Sequence, residues 1–475
     1  MRSPGGALGE RQALGRIPVG DPHRLFSDRQ RGIDQRVNLS RDQRSPAIPS
    51  SIVAGLHQDA HQRLRSFKRL SPERTIPTMS QPTGPEFDLL PLFPSFKLSH
   101  RADQLVVDLQ HVDLVWNYLE GLGISAKYNA EGDGGEKSFV DADPALGLAR
   151  LRDLKDADGE VEVDIVLSLV RQRIAAQRDG WIPLMGKNRF VDSDLVYGAG
   201  TKPMSYAVPT ALAADESAPV SSDTSTAGQG VTIGMVDIPL QGPPSGTVFD
   251  GPEGIPALAG HATFVKSLIA REAPRATIIA NQPLQGAHDP LHEAHDRADS
   301  WDTGRAIMQV SQPEHEIDIL NLSLGCYAPG GPPMVISRAI ERLAPRILVV
   351  AAAGNHGNFT KWRRNRDAHA GIWPATMDQV IAVGAVDDHQ EVADFSPRAP
   401  WVTCTARGVG VIGTYLQDAP FDGFAKWSGT SFAAATVSGA IAAKMSGSGM
   451  TAREAFRALL EHPGETGVKK FAIAP

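Results

Sequence analysis

From Val231 onward, short β-rich apolar runs alternate with helical patterns, and this alternation limits the fold more than any other feature of the chain. "VTIGMVD", "ATIIANQ", "IDILNLSLG", "RILVVAAAGN" and "QVIAVGAVD" are near-continuous apolar runs. A strand covered on both faces needs that texture, whereas a strand with one wet face alternates. Between the runs stand "HATFVKSLIARE", "DRADSWDTGRAIMQV" and "PPMVISRAIERLAP", which have helical spacing. Such alternation predicts an α/β fold built on a doubly wound, mostly parallel sheet. Ligands of these sheets sit at the carboxyl ends of the strands.

A second ordered pattern precedes this one, over residues 100–192. "QLVVDLQ", "ISAKYNAE", "LGLARLRDL" and "WIPLMG" read as strands. "HVDLVWNYLEGLG" reads as a helix, with Val112, Val115, Leu119 and Leu122 in register and Gly at its end. "EVDIVLSLVRQRIAA" reads as a second helix, with Ile165, Val166, Leu169 and Ile174 on one side. The order β-α-β-β-α-β predicts a small α+β domain of ferredoxin-like, split βαβ topology. Residues 193–226, small, polar and rich in Pro and Gly, read as a linker to the main domain at 227–475.

Residues 1–78 carry 13 Arg and 1 Lys against 7 acidic residues, so this segment is net positive while the rest of the chain is net negative. Their apolar residues keep no period, and the segment is expected to be disordered. It reads either as a basic arm for nucleic acid or as sequence upstream of a true start at Met79. Interspersed acids and scarce aromatics favour the second reading. The overall net charge of −7 gives no argument for nucleic acid or an anionic membrane as partner. No run reaches the ~18 apolar residues that span a bilayer, and the first residues lack a signal-peptide core. With only Cys326 and Cys404, a disulfide framework and a cysteine-built zinc site are not expected, and a cytoplasmic location fits.

Four chemistry-bearing residues stand at strand ends and helix starts. Asp237 ends "VTIGMVD", His261 opens "HATFVKSLIARE", Asn355 ends "RILVVAAAGN", and Ser431 opens the small-residue run "SFAAATVSGAIAAKM". Each alone has a plainer explanation: a turn residue, a surface helix start, a left-handed Asn, an N-cap. Together, and in this order, they resemble the catalytic set of the subtilisin-like serine peptidases. The resemblance covers residues 227–450 and rests on "GTSFAAATVSG", "GHATFVKSLIA", "VVAAAGN", "LNLSLG", "WPAT", "VIAVGAVD" and "ADFS". The chain departs from the family pattern at Ile238–Pro239 after the aspartate, at Ala262 and Lys266–Ser267 after the histidine, and at Ala435 after the serine.

The resemblance implies a serine endopeptidase acting through an acyl-enzyme. Ser431 would be the nucleophile, His261 its base, Asp237 the partner of the imidazole, and Asn355 an oxyanion donor. Ser323, Leu324 and Gly325, with Ala352, Ala353 and Gly354, would flank an apolar substrate pocket, and the substrate would be an extended polypeptide strand. The 100–192 domain would correspond to the propeptide of the family, an intramolecular inhibitor. No cofactor is implied, and although calcium sites are common in the family, no dense Asp/Asn loop marks one here. The competing reading is a catalytically impaired, peptide-binding protein of the same fold. An esterase of the α/β-hydrolase type is not expected, because Ser431 lacks the G-x-S-x-G elbow.

Overall fold

The structure is a computed structural model, and it describes residues 100–129, 141–191, 209–217, 225–237, 260–281, 298–328, 331–357, 370–417, 420–462 and 467–471. The expected disorder of residues 1–78, most of the linker and Ile238–Pro239 lie outside the described residues.

The first region runs β1 (His100–Asp108), α1 (Val112–Glu120), β2 (Ser125–Lys127), β3 (Leu148–Asp156), α2 (Val163–Gln177) and β4 (Met185–Val191). Its sheet has the strand order β2-β3-β1-β4, with each neighbouring pair antiparallel. Val112, Val115 and Leu119 of α1 are buried, as their spacing predicts. Two expectations need correction here. The buried stripe of α2 is Val163, Val166, Leu167, Val170 and Ile174, while Ile165 and Leu169 sit on its flank, half-buried. The fourth strand starts at Met185 rather than within "WIPL", where Trp181, Ile182 and Leu184 are exposed. Pro183 has no N–H to give a ladder, so the strand forms only beyond it.

The second region contains β5 (Thr232–Val236), α3 (His261–Glu272), β6 (Thr277–Asn281), β7 (Ala298–Asp299), α4 (Ser300–Val310), β8 (Ile319–Leu322) and α5 (Met334–Leu343). It continues with β9 (Leu348–Ala352), β10 (Val380–Val386), β11 (Cys404–Arg407), β12 (Phe424–Trp427), α6 (Thr430–Met445), α7 (Ala452–Glu461) and β13 (Lys469–Lys470). The main sheet has the order β6-β5-β8-β9-β10-β11-β13. Every pair is parallel except β11 with β13. The five apolar runs of the sequence are β5, β6, β8, β9 and β10, and four of them are central in the order. Helices α3, α6 and α7 cover one face, and α4 and α5 cover the other. The doubly wound α/β architecture is therefore observed.

The two regions share a seam. The two-residue strand β7 pairs antiparallel with β4, matching Phe190 to Asp299 and Val191 to Ala298. The helical reading from Asp296 is corrected accordingly: Ala298–Asp299 is strand, and Asp299 caps α4 by accepting from the Asp302 N–H at 3.0 Å. Asn188 of β4 also accepts from Trp301 N–H at 3.0 Å, satisfying a second helix-end donor. Val106, Leu148 and Val191 pack into the apolar layer around α4 and α5. Arg338 of α5 donates to Asp108 at 3.1 and 3.2 Å.

Candidate active site

Parallel strands deliver the site. Asp237 follows β5, and its N–H donates to Asn281 O at 3.3 Å, which ties the strand end to β6. His261 is the first residue of α3. Gly260, just before it, has φ 76°, and a Cβ there would lie 2.6 Å from a ring carbon of Tyr415. Only glycine meets both conditions, so Gly260 fixes where the imidazole enters the site. His261 Nδ1 lies 2.8 Å from Asp237 Oδ1, and both residues are buried. A carboxylate can only accept, so Nδ1 carries the proton and the neutral imidazole keeps its lone pair on Nε2.

Aromatic rings wall the imidazole. The Trp427 ring stands perpendicular to it at 5.7 Å between centroids, and the Phe432 ring lies at the same distance, tilted by 40°. Phe432 directly follows Ser431, so this contact joins α3 to the start of α6.

Helix α6 has no exposed face from Thr430 to Ala442, where every residue is buried. Its small side chains let it run through the core between α3 and the sheet. Ser431 is its second residue, and Ser431 Oγ donates to Ser323 O at 3.2 Å. The Ser323 hydroxyl in turn donates to Ser431 O at 2.9 Å. Gly429 has an extended φ of 172°, open to any residue. A Cβ there would sit 3.6 Å from Asn355 Nδ2, an ordinary van der Waals separation, so Gly429 lies beside that amide.

Asn355 is held by its carbonyl. Its Oδ1 accepts from Thr430 N–H at 2.9 Å and from the Thr430 hydroxyl at 3.0 Å. The same hydroxyl accepts from Gly354 N–H at 3.0 Å. With the oxygen committed to two donors, the amide is locked with Nδ2 on the Gly429 side.

All four residues singled out by type and position are thus gathered around the start of α6. Ser323, Leu324 and Gly325 follow β8, and Ala352 ends the neighbouring strand β9, with Ala353 and Gly354 after it; all six residues are buried. Asn321, Thr430, Trp427, Phe432 and Ser438 were not anticipated. A signal existed for Ser438, which is seven residues after Ser431 and so on the same helical face. Both cysteines are buried, and burial pushes the Cys404 thiol up to about 12. Among the described residues, no three His, Cys, Asp or Glu side chains gather as a metal site, and no helix is long and apolar enough to cross a membrane.

Residues 255–470 match the model of the subtilase family. It is 33% identical over 186 residues to the thermophilic serine proteinase of Bacillus sp. strain AK1, which is 38% of this chain and 41% of that protein. It is 30% identical over 192 residues to subtilisin DY of Bacillus licheniformis, 38% of this chain and 62% of the relative. The major intracellular serine protease of Bacillus subtilis strain 168 is 33% identical over 192 residues, 38% of this chain and 54% of its own length. The chain thus spans between 41% and 62% of these relatives.

Proposed function

We propose that this chain is a serine endopeptidase that cleaves polypeptides through Ser431, His261 and Asp237, with Asn355 as oxyanion donor. The observation that carries the reading is the buried 2.8 Å contact between His261 Nδ1 and Asp237 Oδ1, next to the start of the Ser431 helix. His261 Nε2 takes the proton from Ser431 Oγ as Oγ bonds to the substrate carbonyl carbon. Charge collects on the carbonyl oxygen, where Asn355 Nδ2 and the Ser431 N–H at the helix start donate to it. The C–N bond then breaks, and the amine leaves with the proton from His261. Water, deprotonated by the same nitrogen, adds to the acyl carbon, and loss of Ser431 Oγ frees the acid and restores the serine. Asp237 holds the tautomer and offsets the imidazolium charge in both halves.

Residues 100–192 are the ferredoxin-like, propeptide-like domain of this reading, and residues 193–226 are its linker to the peptidase domain. That domain is joined to α4 and α5 by a seam, and in this reading it acts as an intramolecular inhibitor. A cytoplasmic location is supported by likeness to a relative named as intracellular.

The test is a fluorophosphonate probe, which reports an activated serine without knowledge of the substrate. Labelling of the full chain that disappears in Ser431→Ala is expected. No labelling, even after cleavage within the linker, would overturn the proposal in favour of a peptide-binding protein of this fold.

A further inference from the structure

Helix α6 raises a physical problem. Its buried surface is made of Ala, Gly, Ser, Thr and Val, with Phe432 and Ile441 as the large side chains between Thr430 and Ala442. Alanines present neither deep knobs nor deep holes, so packing alone resists sliding or rolling of the helix only weakly. Yet Ser431 rides on it, and a displacement of about 1 Å costs a reaction on the order of 10²-fold.

A buried polar chain links the helix to strand β8 at two places. Asn321, fully buried in β8, accepts through Oδ1 from the Ser438 hydroxyl at 3.0 Å. Its Nδ2 donates to Ser323 Oγ at 3.0 Å, and that hydroxyl donates to Ser431 O at 2.9 Å. Ser438 and Ser323 are fully buried too. The single Ser438 proton lies between Asn321 Oδ1 and Ala434 O, which is 2.9 Å away. Buried polar atoms left without partners are costly, so these residues are satisfied together at one setting of the helix. A slide by one residue, about 1.5 Å, would stretch the contacts to Ser438 and Ser431 at once.

We propose that Asn321 is a positioning residue that sets the register of α6, gripping it at Ser438 and, through Ser323, at Ser431. The catalytic consequence rests on the reading of Ser431 as nucleophile; the structural one does not. Asn321 touches no reacting atom. It acts through the helix, two turns apart along one face.

Ser438→Ala and Asn321→Leu break the grip. Thr436→Val is the control: Thr436 is buried on the same helix, and its hydroxyl has no hydrogen-bond partner among the described residues. In the full chain, the second-order rate of fluorophosphonate labelling is expected to fall about ten- to a hundredfold in Ser438→Ala and Asn321→Leu. It stays unchanged in Thr436→Val. Amide hydrogen exchange over residues 431–436, measured well below the melting temperature, is expected to speed up in the first two variants alone. Should Asn321→Leu fail to fold, Ser438→Ala decides. Wild-type labelling with equal labelling and equal exchange in Ser438→Ala overturns the proposal. Absence of labelling in the wild type counts against the functional reading, and the exchange result then decides the register role by itself.

Discussion

Gly439 of α6 lies against Ile269 of α3, so close that a Cβ on Gly439 would come 2.7 Å from Ile269 O and 2.7 Å from Glu272 Cβ. This approach brings the helix that starts at His261 onto the helix that starts at Thr430. Gly439→Ala has two opposed effects. Alanine is favoured over glycine in a helix interior by about 1 kcal/mol. Overpacking against backbone costs about 1–3 kcal/mol, and a backbone oxygen cannot rotate away. The clash wins, and the expected result is a lower melting temperature. Slower fluorophosphonate labelling accompanies it, because the helices must part. Thermal denaturation and labelling rate, measured together, check this.

Asp237→Asn tests the imidazole's partner. The amide can offer Nδ2 to the ring as readily as its oxygen, and the tautomer with the proton on Nε2 then becomes available. That tautomer cannot act as a base towards Ser431. Labelling is expected to slow on the order of 10⁴-fold with the fold intact. A variant labelled at the wild-type rate would show that Asp237 does not fix the tautomer.

Thr430→Val addresses the amide of Asn355. Valine keeps the volume of threonine but removes the hydroxyl that donates to Asn355 Oδ1 and accepts from Gly354 N–H. The Thr430 N–H contact to Oδ1 remains. The loss should therefore be smaller than removal of the donor itself, which in subtilisin costs about 10²–10³ in kcat. Asn355→Leu should show that larger loss, and the two labelling rates should fall in that order.

The sheet was legible because both its faces are covered. Apart from Thr232 and Asn321, β5, β8, β9 and β10 carry apolar residues or glycine, and the sequence says so without periodicity. The four candidate residues were legible by position, each at a strand end or a helix start. What stayed hidden was pairing at a distance. Asn321 and Ser438 are 117 residues apart and meet only once β8 and α6 are packed. Trp427 reads as any buried aromatic until its ring is found against His261. The start of β4 was misread because Trp181, Ile182 and Leu184 look like core yet lie exposed beside Pro183. The flank of α2 was misread because Ile165 and Leu169 are as apolar as the stripe beside them.

Asp302, in the first turn of α4, ties stability to pH. Burial, and then the neighbouring Asp299 carboxylate, raise its carboxyl from 3.8 to about 6, against Arg150, Arg305 and Arg101. The helix N-terminus favours a negative charge, but burial outweighs it. A carboxyl raised on folding binds its proton more tightly in the native state. Its contribution is therefore full below pH 3.8, is lost as pH rises through about 6, and stays lost above. Asp302→Asn keeps the shape and the backbone N–H that donates to Asp299, and removes the charge. The variant should match the wild type near pH 4 and exceed it at pH 7. Because the side chain is only partly buried, the gain is on the order of 1 kcal/mol, or about 2–4 °C. Melting curves of both proteins across this range check it: a gain at pH 4 equal to that at pH 7 would remove the charge from the explanation, and a loss at pH 7 would mean that the ionised carboxylate stabilises the α4 terminus.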